Sequence, residues 1–486
     1  MIRYNFQKTE RYTIALYICI IVSCLFTDSI QAINRFHPSW ENEAGAKTTF
    51  ASNHMFNANA YGAKGDSVTL NSKYIQAAID ACAAKGGGIV TFKPGNYVTG
   101  SIFLKSGVTL RLDSEVVLLG SQNIKDYPLI QTRIAGIEMK WPAAIVNVLN
   151  AQNVAIKGKG IIDGRGKKFW DLYWSMRKVY EAEGLRWVVD HECHRPRMIL
   201  ISKSQNILLQ GLQLHRSGFW TVQLLYSKNI TVDGITIRNN IGGHGPSTDG
   251  IDVDSSTRIL IEHCNIDCND DDICLKAGRG VDGARVDKPT EYVVIRNCES
   301  GLGGGLIVFG SETAGSIRHV LAYNLTAHGT SAALRFKSAI INRGSTVEDV
   351  TAYHINAIGT KAVVVASLSW NPAYSYPKLP PAYAGKPIPA YWKVMLKKIP
   401  DSVPLPKFRN IYIEGLTATN AIVGIDASGM DQSTLDNFTF KNCTFNVQKA
   451  GEIAYAKNWL FRNVVFHAVQ GNSLSISHSQ NVQFIK

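Results

Sequence analysis

NILLQGLQL at 206–214, NITVDGITI at 229–237 and RILIEHCNI at 258–266 are variants of one phrase, and their reading decides the fold. Each holds two short runs of alternating apolar and polar residues separated by a small or polar turn, the pattern of half-buried strands. Further copies are NVAIKGKGIID at 153–163, YVVIRNCES at 292–300, IRHVLAYNLTA at 317–327 and VEDVTAYHINA at 347–357. After a break the phrase returns at 409–419, 435–445 and 461–469. Most starts lie about 23 to 35 residues apart, within the period of solenoids. No copy can bury its own apolar face, so stacked coils must share one interior. The LxxLxL frame of leucine-rich repeats is absent, and no helices separate the strands. The expected architecture is all-β, a right-handed parallel β-helix.

Outward from this repeat, residues 72–84 read as the one helix near the N-terminal end. Asn71 or Ser72 can cap it, Ile75, Ala78, Ile79 and Cys82 fall at helical spacing, and Gly86, Gly87 and Gly88 stop it. Such a helix is placed to cap the open first coil, whose edges would otherwise be exposed. A second helix is expected near residues 170–183. Two stretches interrupt the rhythm, at about 165–197 and 369–406. The first carries Trp170, Trp174, Arg177, Arg186, Trp187, Arg195 and Arg197, and the second Trp370, Tyr374, Tyr383, Tyr391 and Trp392. Insertions between coils map to loops on one face, and aromatic rings beside arginines suit sugar faces and carboxylates.

The chemistry concentrates in STDGIDVDSSTRILIEHCNIDCNDDDICLK, residues 247–276, where two clusters of three aspartates punctuate strand-like sequence. Aspartate is depleted in strands and costly to bury, so Asp249/Asp252/Asp254 and Asp270/Asp271/Asp272 are either turn residues or a site. Asp249 and Asp270 are 21 residues apart, about one coil, which would set them on neighbouring rungs. Asp270 and Asp271 can serve one cleft only at a bend, because successive strand residues face opposite ways. Gathered carboxylates repel one another, and one then keeps its proton near neutrality. That pattern suits the acid and base of glycoside hydrolysis, and equally a calcium site of the kind a lyase uses.

Composition narrows the partners. A formal charge of +13 on 486 residues points to an acidic partner, and no Lys/Arg run or basic helix suggests nucleic acid. Residues 1–32 read as a signal peptide, with Lys8 and Arg11 before an apolar run. Cleavage after Ala32 would release a soluble exported protein. Ile21-Val22-Ser23-Cys24 resembles a lipobox, which would instead leave a lipid anchor on Cys24. Residues 33–486 would then be a single catalytic β-helix, periplasmic, anchored at the outer membrane or extracellular, and monomeric. Of nine cysteines, seven lie beyond the leader, an odd number that describes no disulfide framework. His191-Glu192-Cys193-His194 lacks the i, i+4 spacing of a zinc helix and is not read as a metal site.

From about Tyr61 onward the chain resembles the polygalacturonase-like glycoside hydrolases of family 28. The likeness rests on YGAKGD at 61–66, STDGID at 247–252, DDxIxLK at 270–276, GGGLIVFGSE at 303–312 and RFK at 335–337. That resemblance implies inverting hydrolysis of α-linked uronic acid chains of pectin, with no cofactor and no metal. It implies Asp270 as general acid, Asp249 and Asp271 as activators of water, and Arg335 and Lys337 as substrate-binding cations. Asp252 would support Asp249, while Asp254 and Asp272 would serve turns or local hydrogen bonds. Glu312 reads as either a further carboxylate in the cleft or a turn residue. The chain departs from the family where Gly303-Gly304-Gly305 stands in place of Gly-His-Gly. A Gly-His-Gly does occur at 243–245, from which His244 would reach the cleft or remain a turn residue. The leading expectation is an exported, polygalacturonase-like hydrolase, exo-acting because insertions wall the cleft. A rhamnogalacturonan hydrolase, a calcium-dependent pectate lyase and a non-catalytic polysaccharide-binding β-helix stay open as alternatives.

Overall fold

In the computed structural model, which describes residues 35–47, 54–375, 378–471 and 473–486, the repeated phrases stack in register. Ile207 pairs with Ile230, Ile230 with Ile259, Ile259 with Val293, Val293 with Val320 and Val320 with Val350. Each of these side chains is at most 1% exposed. One inward position repeated per coil thus becomes a continuous aliphatic column, and burying it supplies the main stabilising force. The result is a parallel β-helix of three sheets. One coil runs through Val222–Leu225, Lys228–Asp233 and Thr236–Arg238, then returns at Ile251–Asp254 directly above its start. We call the sheets containing these three strands the floor, back and side sheets.

The asparagines of the phrase explain the corners. Asn206, Asn229, Asn410 and Asn437 all adopt φ near +55° to +60° where the chain enters the back sheet. Asparagine tolerates this left-handed conformation better than most residues. Its side chain can also bond the preceding rung: Asn206 donates to Asn153 at 2.5 Å and Asn437 to Asn410 at 2.9 Å.

The helix at Ser72–Ala84 buries the expected Ile75, Ala78, Ile79 and Cys82 in the solenoid core and packs on the first-coil strands. The second helix spans Lys167–Ala182. The antiparallel hairpin Leu129–Ile134/Ile137–Pro142 and the short helix Gly280–Val286 carry no repeat signal in the sequence. Cys264, Cys268, Cys274, Cys298 and Cys443 are buried free thiols, small apolar fillers of the core.

Residues Ala44–Lys486 form one compact unit. Before it, the described residues 35–43 include a helical turn at Glu41–Glu43. The signal peptide, the Ala32 cleavage site and the Cys24 lipobox lie outside the described residues.

Candidate active site

The acidic clusters meet on the floor sheet. Its strands Ile251–Asp254, Asp271–Lys276, Gly305–Phe309 and Ala332–Lys337 lie side by side, and the connections at their two ends rise as walls. The hairpin and the 165–197 insertion precede floor strands in the chain, whereas 277–289, 310–316 and the 369–406 insertion follow them. The hairpin reaches across to the second group: Arg279 N donates to the Gly136 carbonyl at 3.0 Å and Glu138 N to Asp282 at 2.7 Å. The insertions pack on each other and on the hairpin, through Leu185, Val188, Tyr391 and Trp392 with Ile137.

Asn269 and Asp270 form a bend and the strand begins at Asp271, so both carboxylates reach the same pocket, as the sequence required. Asp249, in the loop one rung below, joins them. The space above them measures about 670 Å³ including its open mouth, within the range of ligand clefts.

Two lysines organise the carboxylates. Lys276 Nζ lies 2.8 Å from Asp249 Oδ2 and 2.8 Å from Asp252 Oδ1, and 4.1 Å above the Trp220 ring. Lys337 Nζ lies 2.8 Å from Asp271 Oδ2. These contacts separate the proton affinities. Burial raises Asp270 to about 8, reinforced by the charges of Asp249 and Asp271. Burial also acts on Asp271, but Lys337 and Arg335 outweigh it and hold Asp271 below the usual carboxylate value. Asp249 is pushed well up by burial, with Lys276 opposing and Asp252 and Asp271 adding to the rise. Asp252, fully buried, rises to about 7 by burial against the pull of Lys276. Neighbouring Asp270 and Asp271 are thereby a protonated acid and an ionised carboxylate at the same pH, the division that acid–base chemistry requires.

The remaining aspartates do structural work. Asp254 pairs with Arg133 of the hairpin at 2.8 Å, both at most 1% exposed, and fastens the hairpin to the floor sheet. Asp272 accepts from Thr330 Oγ1 at 3.1 Å and from Cys268 Sγ at 3.2 Å.

Arg335 and Lys337 share the outward face, with Phe336 between them in the core. Lys337 lines the pocket; Arg335 sits beside it, half-buried, with Nε lacking a hydrogen-bond partner among the described residues. Glu312 lines the pocket wall. His244 does not line it. It is exposed and stacks on Trp174 of the inserted helix at 5.8 Å, because Trp174 Nε1 bonds the His244 carbonyl and holds the turn outward. Arg195 and Arg197 are fully buried, bonded to Pro246 O and to Gln223 Oε1, so among the inserted arginines Arg186 is the one that reaches the pocket. Lys276 was legible as part of a motif, and stacking of Cys274 on Asp252 one rung away sets it, two residues on, beside the aspartates of the first cluster.

The glycine at 304 has a steric cause. A Cβ there would lie 2.6 Å from Asp271 Oδ1 and 3.0 Å from Asp271 N, so the chain passes too close to Asp271 for a side chain. A hard cation is also a poor fit. Oxygens of Asp249 and Asp271 and the Cys274 thiol lie within 4.8 Å of one another, but lysines already neutralise both carboxylates and a thiol is not a calcium donor.

The family described as Glycosyl hydrolases family 28 matches residues 89–368, over half the chain. A probable polygalacturonase of Vitis vinifera is 34% identical over 301 residues, 60% of this chain and 58% of that protein. An exo-poly-alpha-D-galacturonosidase of Dickeya chrysanthemi is 29% identical over 326 residues, 60% of this chain and 53% of that protein. The chain thus spans less than two thirds of these relatives. Among solved structures, a hyperthermoactive exopolygalacturonase from Thermotoga maritima superposes with a TM-score of 0.69 at 23% identity, covering 91% of this chain and 96% of that one. At that identity the likeness concerns the fold, a parallel β-helix.

Proposed function

The chain belongs to glycosyl hydrolases family 28, and on that premise we propose that it hydrolyses galacturonate-containing pectic polysaccharide with inversion, releasing sugars from a chain end. The observation that carries the reading is the pairing of Asp270, protonated up to about pH 8, with Asp271, ionised beside Lys337. Asp270 gives its proton to the glycosidic oxygen. Oxygens of Asp249 and Asp271 less than 4.8 Å apart can both hold one water, with Asp271 taking its proton as the water attacks the opposite face of the sugar. Arg335 and Lys337 supply positive charge for a uronate carboxylate, in keeping with the net charge of +13.

Exo action is supported by the insertions, whose Trp187, Trp370 and Tyr374 cluster at 5.2–5.6 Å on the pocket wall. It is also supported by the likeness to the Dickeya chrysanthemi exo-poly-alpha-D-galacturonosidase. Export by the N-terminal leader belongs to the same proposal, and mass spectrometry of the mature N-terminus tests it: a chain starting at Met1 rejects it.

Product analysis on homogalacturonan and rhamnogalacturonan side by side tests the activity. Monomer or dimer release from homogalacturonan is expected. A ladder of oligomers rejects exo action, cleavage of rhamnogalacturonan alone reassigns the substrate, and an unsaturated product replaces hydrolysis with elimination.

A further inference from the structure

His191 lies in the helical turn Val189–Glu192 of the first insertion, outside every motif that links the chain to its family. It is 2% exposed and lines the catalytic pocket. Neither ring nitrogen makes a hydrogen bond of good geometry among the described residues. The Trp187 carbonyl, one turn back, is a weak backbone acceptor for the ring and can serve only one of its two nitrogens. Buried polar atoms left unpaired destabilise a fold, so such a group calls for a partner that occupies the pocket.

The ring is also held in place. It stacks on Tyr391 of the second insertion at 5.2 Å with an interplanar angle of 12°. The Tyr391 hydroxyl donates to Glu192, which also accepts from Tyr180 at 2.5 Å and from Tyr383 at 2.9 Å. Glu192 thus joins three tyrosines from two insertions around the residue next to His191, so the imidazole is pre-positioned. Burial, then Arg279, lowers the imidazole to about 4 against the opposing charges of Asp190 and Glu192. Above that pH the ring is neutral and has one donor and one acceptor. That complement matches a hydroxyl, which also donates and accepts; a uronate carboxylate would be better met by Arg186 or Lys337.

We propose that His191 is a substrate-contacting residue that hydrogen-bonds a ring hydroxyl of the sugar seated in the pocket, and that the Glu192–tyrosine cluster is its support. The inference rests on the hydrolase reading and adds a specificity residue to it.

The test compares His191→Phe, which keeps the stack on Tyr391 but cannot hydrogen-bond, with His191→Gln, which restores a donor and an acceptor. The measurements are kcat/KM on galacturonate oligomers and Tm. His191→Phe is expected to lose about tenfold in kcat/KM, the effect of one neutral hydrogen bond. Its Tm should hold or rise, because a buried polar ring without a well-made hydrogen bond is gone. His191→Gln should recover most of the activity. Wild-type kcat/KM in His191→Phe overturns the inference and leaves the hydrolase reading standing. A lowered Tm with equal loss of activity in both variants also overturns it, since His191 would then be a structural residue. A wild-type protein that releases no sugar from any pectic polymer overturns the hydrolase reading, and this inference with it.

Discussion

Asp270→Asn should abolish hydrolysis and at the same time stabilise the protein, by an amount that depends on pH. The folded protein holds the Asp270 proton up to about pH 8, whereas an unfolded chain releases it near the ordinary value of 3.8. Between those values the native state binds a proton that the unfolded state does not, so wild-type stability falls as pH rises through this window. At pH 4 the folded protein holds the proton and the unfolded chain holds it about 40% of the time, a difference of only about 0.6 kcal/mol, so asparagine, a neutral near-isostere, changes little. At pH 7 the three units of difference correspond to about 4 kcal/mol at about 1.4 kcal/mol per unit. That figure is an upper bound, because water at the pocket mouth reaches half-buried Asp270 and because Asp249 and Asp271 share the repulsion. Thermal unfolding of both proteins from pH 4 to pH 8, with reducing-end assays on the same samples, measures both effects. The expected result is a Tm difference near zero at pH 4 that widens to several degrees at pH 8, with no sugar release from the variant. A variant whose Tm advantage is absent at pH 8, or constant across the range, would refute the claim that Asp270 is held protonated by its surroundings.

Lys337→Met removes the ammonium 2.8 Å from Asp271. Asp271 should then titrate higher and compete with Asp270 for the proton, lowering kcat by about 10²–10³-fold and moving the acidic limb of the pH–rate profile to higher pH; an unmoved limb contradicts the assigned base. Gly304→His should lower activity at least about tenfold and reduce Tm, because its Cβ would press on Asp271 within 2.6 Å and overpacking costs about 1–3 kcal/mol. Any gain of activity on homogalacturonan would show that the loop yields. Arg133→Met leaves buried Asp254 unpaired and should destabilise the protein by about 3–5 kcal/mol in chemical denaturation, with Asp254→Asn in the same chain recovering part of the loss.

The repeated phrase determined the architecture by itself. A solenoid is built from local units whose inward positions are marked by alternation, so the Ile207–Ile230–Ile259 column was legible as three copies of one pattern. The same regularity placed Asp249 and Asp270 on adjacent rungs and required a bend at Asp270 and Asp271. Alternation likewise predicted that Arg335 and Lys337 share a face around Phe336.

Contacts between segments distant in sequence were decided only by tertiary structure. Arg133 and Asp254 are 121 residues apart, and Tyr391 and Glu192 are 199 apart; no period links them. Which acidic side chain keeps its proton depends on burial and on the reach of Lys276 and Lys337, neither of which a spacing can express. The same holds for the histidines. His244 stood in a suggestive tripeptide and is turned outward by Trp174, whereas His191 carried no usable signal and lines the pocket. Strand alternation constrains residues on a regular sheet, but an insertion acquires its geometry from what it packs against, and there the sequence pattern has no period to read.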